Sequence, residues 1–132
     1  MRAFILLTLL GLFCGGAWAE PISEAQATRA ILGEALPNYE AMHDIASAIR
    51  NRGTLRGVYG VRSSNYDKAS PKLRALASRA WASSATLDTV QGSDHWLSQY
   101  DLEHCKPSLT AFRFSMTETV YRHKTHFYRS GV

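Results

Sequence analysis

The apolar residues of this chain change their repeat once, and that change limits the fold to helices followed by strands. After Ser23, the residues Ala27, Ala30, Ile31 and Ala35 recur at helical spacing. Ser23 stands three residues before Gln26, a capping-box pattern that starts a helix running to about Ala35. Pro37 interrupts it, and Asn38 is placed to cap a second helix. Met42, Ile45, Ala46 and Ile49 form the buried stripe of that helix, and Gly53 stops it. Residues 54–65 are rich in Gly, Ser and Arg, with Val58, Tyr59 and Val61 between, and read as a loop lining something. Ser70-Pro71 opens a third helix with the apolar face Leu73, Leu76, Ala77, Ala80 and Trp81, where Trp81 is expected in the core. Past Thr86 helical periodicity fades. Phe112, Phe114 and Met116 alternate with Arg113 and Ser115, as a half-buried strand does. Residues 119–121 and 125–128 are further strand candidates, split by Arg122-His123-Lys124. The expected class is α+β, with helices first and a short antiparallel sheet last.

Glu34 breaks this pattern in an informative way. It follows Ala27, Ala30 and Ile31 on the same helical stripe, where apolar residues should be buried. Partial desolvation disfavours the charged form of a carboxylate, and a protonated carboxylic acid can serve as a general acid. The plainer alternative is a carboxylate that reaches solvent at the helix end or pairs with an Arg.

The first nineteen residues constrain location. Arg2 precedes an apolar run over residues 3–13, and Ala17-Trp18-Ala19 forms a small-x-small cleavage site before Glu20-Pro21. The run is too short, and too broken by Gly15 and Gly16, to span a membrane. The expectation is an export signal over residues 1–19 and a single domain over residues 20–132, placed in the periplasm or outside the cell. Such a mature chain has 132 − 19 = 113 residues, enough for one modest core. Cys14 leaves with the signal and Cys105 remains alone, so no intrachain disulfide is expected. Without Arg2 the balance is 15 − 1 = 14 basic against 11 acidic side chains, about +3. That mild charge suits a polyanionic wall or a membrane surface, and is too small and too scattered to indicate nucleic acid.

Motif chemistry removes further classes. The chain has no Gly-rich phosphate loop, no Gly-x-Ser-x-Gly elbow and no His-Glu-x-x-His helix. His104-Cys105 and His123-x-x-His126 are the nearest approaches to a ligand cluster, and neither fits a common zinc framework. No metal and no cofactor are expected. Cys105 beside His104 superficially suggests a thiol peptidase, but strand neighbours point apart.

Several segments together carry a family resemblance. Ala30-Ile31-Leu32-Gly33-Glu34-Ala35, then Tyr39-Glu40 and Ile49-Arg50-Asn51-Arg52, resembles the opening of the bacterial cell wall hydrolases related to spore-cortex-lytic enzymes. Gly57-Val58-Tyr59-Gly60-Val61 and Gly92-Ser93-Asp94-His95-Trp96 are similar to later segments of that family, as is His126-Phe127-Tyr128 near the end. The resemblance spans nearly the whole chain after residue 19. It implies a small lysozyme-like domain that cuts peptidoglycan between N-acetylmuramic acid and N-acetylglucosamine. Glu34 matches the family's catalytic glutamate. A lytic transglycosylase needs this one carboxylate alone, because the muramoyl hydroxyl attacks intramolecularly with a high effective molarity. Asp94 stands where the family carries Thr and is a substrate-binding candidate; it leaves open a second carboxylate and a true hydrolase, against the alternative of a turn or cap residue. Leu97-Ser98-Gln99 lacks the family's Asn-Pro continuation, and Leu36-Pro37 replaces a glycine-containing connection.

With that substrate in view, Tyr59, Tyr66, Trp96 and Tyr128 are candidates to line a glycan groove, against the alternative that each is packing. His95 and His126 are candidates to bond the sugar or orient Glu34, or are structural histidines with satisfied nitrogens. The expected partners are peptidoglycan glycan strands and an envelope protein, with contact to the membrane peripheral at most. The competing reading is a non-catalytic exported module that binds peptidoglycan or an envelope protein.

Overall fold

A computed structural model describes residues 21–104 and 115–130 of the chain. Its elements are α1 (Glu24–Glu34), α2 (Tyr39–Arg52), a 3-10 turn (Tyr59–Arg62), α3 (Asn65–Lys68), α4 (Pro71–Ser83), β1 (His95–Ser98), α5 (Gln99–His104), β2 (Met116–Arg122) and β3 (Thr125–Ser130). The class is α+β.

The three long helices begin on the capping residues expected from sequence. Ser23 Oγ accepts from the Gln26 N–H at 3.2 Å, Asn38 Oδ1 from Ala41 at 2.9 Å, and Ser70 Oγ from Leu73 at 3.2 Å. Each satisfies an amide that the helix leaves without a partner, worth about 1 kcal/mol. Gly53 ends α2 with φ 74, a left-handed conformation that side chains resist.

α2 is the central element. Its expected stripe of Met42, Ile45, Ala46 and Ile49 is fully buried, and Ala41 and Ala48 beside that stripe are buried too. α1 contributes Ala27, Ala30 and Ile31 to the same core, and α4 contributes Ala77, Ala80 and Trp81. Alanines at these contacts let the helix backbones come close, and the larger Ile, Met and Trp fill the space between. Phe127 brings the sheet into that core.

The sheet has the order β1-β3-β2, antiparallel throughout. Phe127 pairs with Trp96 on one side and Val120 on the other, on the face turned to the core, while Tyr128 pairs with His95 and Glu118 on the opposite face. A bulge at Thr119 shifts the β2 register between Glu118 and Val120. His123 and Lys124 link β2 to β3 with φ of 52 and 56, the positive angles that a two-residue hairpin of the right twist requires.

Two expectations are corrected. The 54–65 loop contains the 3-10 turn, and the non-helical second half contains α5. His104 therefore sits on a helix rather than a strand, and His123 lies in the hairpin turn. The alternation at Phe112 and Phe114, Cys105 and the 1–19 leader lie outside the described residues. Among the described residues, no helix is long and apolar enough to cross a membrane.

Candidate functional site

Glu34 is the last residue of α1 and is half-buried. Its Oε1 accepts from the Gly60 N–H at 2.8 Å, and its Oε2 from the Trp96 indole N–H at 3.3 Å. The first contact depends on an unusually close approach of two backbones. A Cβ on Gly33 would lie 2.2 Å from the Gly60 carbonyl oxygen, and a Cβ on Gly60 would lie 2.6 Å from Glu34 Cγ and 2.7 Å from the Ala30 carbonyl oxygen. Only glycine at both positions lets the 3-10 turn settle against α1 and aim its amide at the carboxylate. Gly33 and Gly60 are thus as much part of the site as Glu34.

Trp96 reaches Glu34 because β1 is anchored to the end of α2. The Asn51 amide donates to the Ser93 carbonyl at 3.0 Å, and Arg52 donates to the Asp94 carbonyl at 3.3 Å and the Arg56 carbonyl at 2.8 Å. Arg50 lies 3.5 Å over the Trp81 ring and donates to the Trp81 carbonyl at 2.6 Å, joining α2 to α4. Burial lowers the Arg50 pKa from its ordinary value. The Arg-Asn-Arg run therefore positions the loop, turn and strand around the carboxylate.

Asp94 is a clamp in this arrangement. Its Oδ1 accepts from the Ser130 N–H and from His95 Nδ1, both at 2.9 Å, and its Oδ2 accepts from the Ser130 hydroxyl at 2.6 Å. Burial pushes its carboxyl up, but the bonds from Ser130 and His95 outweigh it and hold the pKa at about 2. Such a group closes the end of the β1–β3 pair.

The remaining candidates divide between two faces. Tyr59, 77% exposed, stands beside Gly60 and lines a cleft of about 320 Å³ with Arg56 and Arg62. Tyr66 is set apart by its own contacts, with the Arg29 and Arg74 guanidinium groups 4.6 and 4.5 Å from its ring centre. His126 stacks on Tyr121 at 4.1 Å and bonds Glu118 and Gln99. Tyr128 is buried, at 3% exposure. The structure thus joins Glu34, Trp96 and the Tyr59-Gly60 turn, and places His95, His126 and Tyr128 on the other side of the sheet from Trp96.

No family model, no curated protein and no solved structure matches the chain.

A second concavity lies elsewhere. About 390 Å³ opens between α2, the end of α4 and the β2–β3 hairpin, and Glu34 is not in its wall. Beneath it lies a polar cluster that sequence reading missed. Asp44, 3% exposed, receives two bonds from Arg122, at 2.7 and 3.1 Å, and one from the Thr89 hydroxyl at 2.6 Å. His43 and Ser47 are buried with it. The signal was present in the central helix, where polar side chains sit among Ala41 and Ala48 on faces later covered by other elements. Among the described residues, no three His, Cys, Asp or Glu side chains are grouped to hold a metal ion.

Proposed function

We propose that this protein cleaves peptidoglycan glycan strands at the N-acetylmuramic acid–N-acetylglucosamine bond as a lytic transglycosylase, with Glu34 as its single general acid and base. The observation that carries the reading is the Gly60 N–H bond to Glu34 Oε1, secured by the Gly33–Gly60 approach. The fold we infer is lysozyme-like, and the family is that of the cell wall hydrolases related to spore-cortex-lytic enzymes, on the strength of the sequence segments quoted above. Three of those segments meet at Glu34, since Gly33-Glu34, Gly60 and Trp96 come from different parts of the chain.

The Gly60 and Trp96 donors fix the plane of the carboxyl group and leave each oxygen a second lone pair for a proton. In the first step Glu34 gives its proton to the glycosidic oxygen as the bond to the muramoyl carbon breaks. The muramoyl hydroxyl then attacks that carbon and returns its proton to Glu34, closing the anhydro ring. No water and no second carboxylate enter. Asp94 supports this mechanism by default, because its two oxygens are already engaged by Ser130 and His95. The mild positive charge suits an anionic wall.

Mass analysis of muropeptides released from purified sacculi tests the mechanism. Anhydro-muramoyl ends are expected. Reducing ends would replace the transglycosylase by a hydrolase, free stem peptides would point to an amidase, and binding without release would leave a non-catalytic wall-binding module.

A further inference from the structure

We infer that the cleft between α2, α4 and the β2–β3 hairpin is a second active site, a serine esterase in which Ser83 is the nucleophile and His43 its general base. The inference is independent of Glu34, which takes no part in this cleft.

Two hydroxyl groups flank Nδ1 of the buried His43 ring, and a third faces its Nε2. The Thr89 hydroxyl gives its single hydrogen to Asp44 Oδ1 at 2.6 Å, and the Ser47 hydroxyl has the Leu87 carbonyl, the Thr89 hydroxyl oxygen and His43 Nδ1 all at 3.3 Å as acceptors. Both hydroxyl oxygens lie 3.3 Å from His43 Nδ1. When Ser47 donates to the Leu87 carbonyl, both hydroxyl oxygens accept at Nδ1 and the neutral imidazole carries its hydrogen there. Its Nε2 then presents a lone pair, and the Ser83 hydroxyl stands 2.9 Å away as donor. This is the tautomer and the spacing that a nucleophile and its base require, with Thr89 and Asp44 as the orienting groups behind.

The surroundings fit the chemistry. His43 is 4% exposed, so its ring is held in place, while Ser83 is half-buried and lines the open cleft. The 390 Å³ volume is at the small end of ligand pockets, which run from about 300 to 1,000 Å³. Tyr39 and Leu87 give it an apolar wall for a short acyl chain, and Arg122, paired with Asp44, also lines it. The substrate class is therefore a carboxylic ester with a small acyl group. Ser83 Oγ bonds to the carbonyl carbon as its proton passes to Nε2. The bond to the alcohol oxygen breaks, and that oxygen takes the proton from Nε2. Water then attacks the acyl-serine, gives a proton to Nε2, and frees the carboxylic acid as Ser83 recovers its hydrogen.

No Gly-x-Ser-x-Gly motif announces this site, because Ser83 ends a helix and His43 comes from another, 40 residues earlier.

The test uses the intact chain with p-nitrophenyl butyrate and with a fluorophosphonate probe. The probe is expected to add covalently to Ser83, resolved from neighbouring Ser84 by peptide fragmentation. Release of p-nitrophenol is expected to fall at least about 100-fold in Ser83→Ala. Because the adduct is mapped on the unmodified protein, a variant that misfolds does not obscure the answer. A wild-type protein left unlabelled at Ser83, or labelled only at another residue, would overturn the proposal. So would a folded Ser83→Ala variant that hydrolyses the ester at the wild-type rate.

Discussion

The carboxyl of Asp94 receives three hydrogen bonds from Ser130 and His95, and this makes a single residue a pH-dependent clamp. Its folded pKa, about 2, lies below the ordinary Asp value of about 3.9. Its contribution is therefore fully present above about pH 4 and is lost as pH falls towards 2. The gap corresponds to about 2–3 kcal/mol. Asp94→Asn should lower stability at pH 7 by that order and flatten the acid limb of a denaturation–pH profile between 4 and 2. An acid limb identical to that of the wild type would contradict the clamp. At this scale sequence reading located Asp94 and Glu34 but could not divide their roles, because the division depends on Ser130, Gly60 and Trp96 arriving from distant parts of the chain.

Between elements, the close approach of the 3-10 turn and α1 is the feature most exposed to a small change. Gly60→Ala would place a Cβ against Glu34 Cγ and the Ala30 carbonyl oxygen. The turn must then lift from the helix and take its N–H away from Oε1. Overpacking of this kind costs about 1–3 kcal/mol, and a misplaced acid is expected to reduce muropeptide release about 100-fold. Thermal denaturation beside a sacculus assay reads both effects, and unchanged release would show that the Gly60 amide does not position Glu34. The helices that begin at Ser23, Asn38 and Ser70 were legible because capping is local: a side chain bonds an amide three residues away. The 3-10 turn and α5 were not legible, since both are short and carry too few residues for a periodic signal. The hairpin at His123-Lys124 lacks the usual Asn-Gly signature, so its turn could be read only from the strands on either side.

Across the whole molecule, Asp44 and Arg122 connect the central helix to the terminal hairpin over 78 residues of chain. Arg122 also donates to the Thr89 carbonyl at 2.6 Å, drawing the connection after α4 into the same knot. Arg122→Met would leave the buried Asp44 carboxylate without its cation. The expected loss is about 2–4 kcal/mol, less than for a fully enclosed pair because Arg122 is partly exposed. Chemical denaturation measures it, and an unchanged midpoint would contradict this linkage. Such long-range pairing has no periodic trace in the sequence, which is why the α+β order was readable and the way its halves are fastened was not.

The most direct test of the central claim is muropeptide release from purified sacculi by the wild type beside Glu34→Gln. Gln keeps the size of the side chain and has no acidic proton to give. A folded variant is expected, with release reduced by about 100-fold or more. Equal release from the two proteins would contradict the claim.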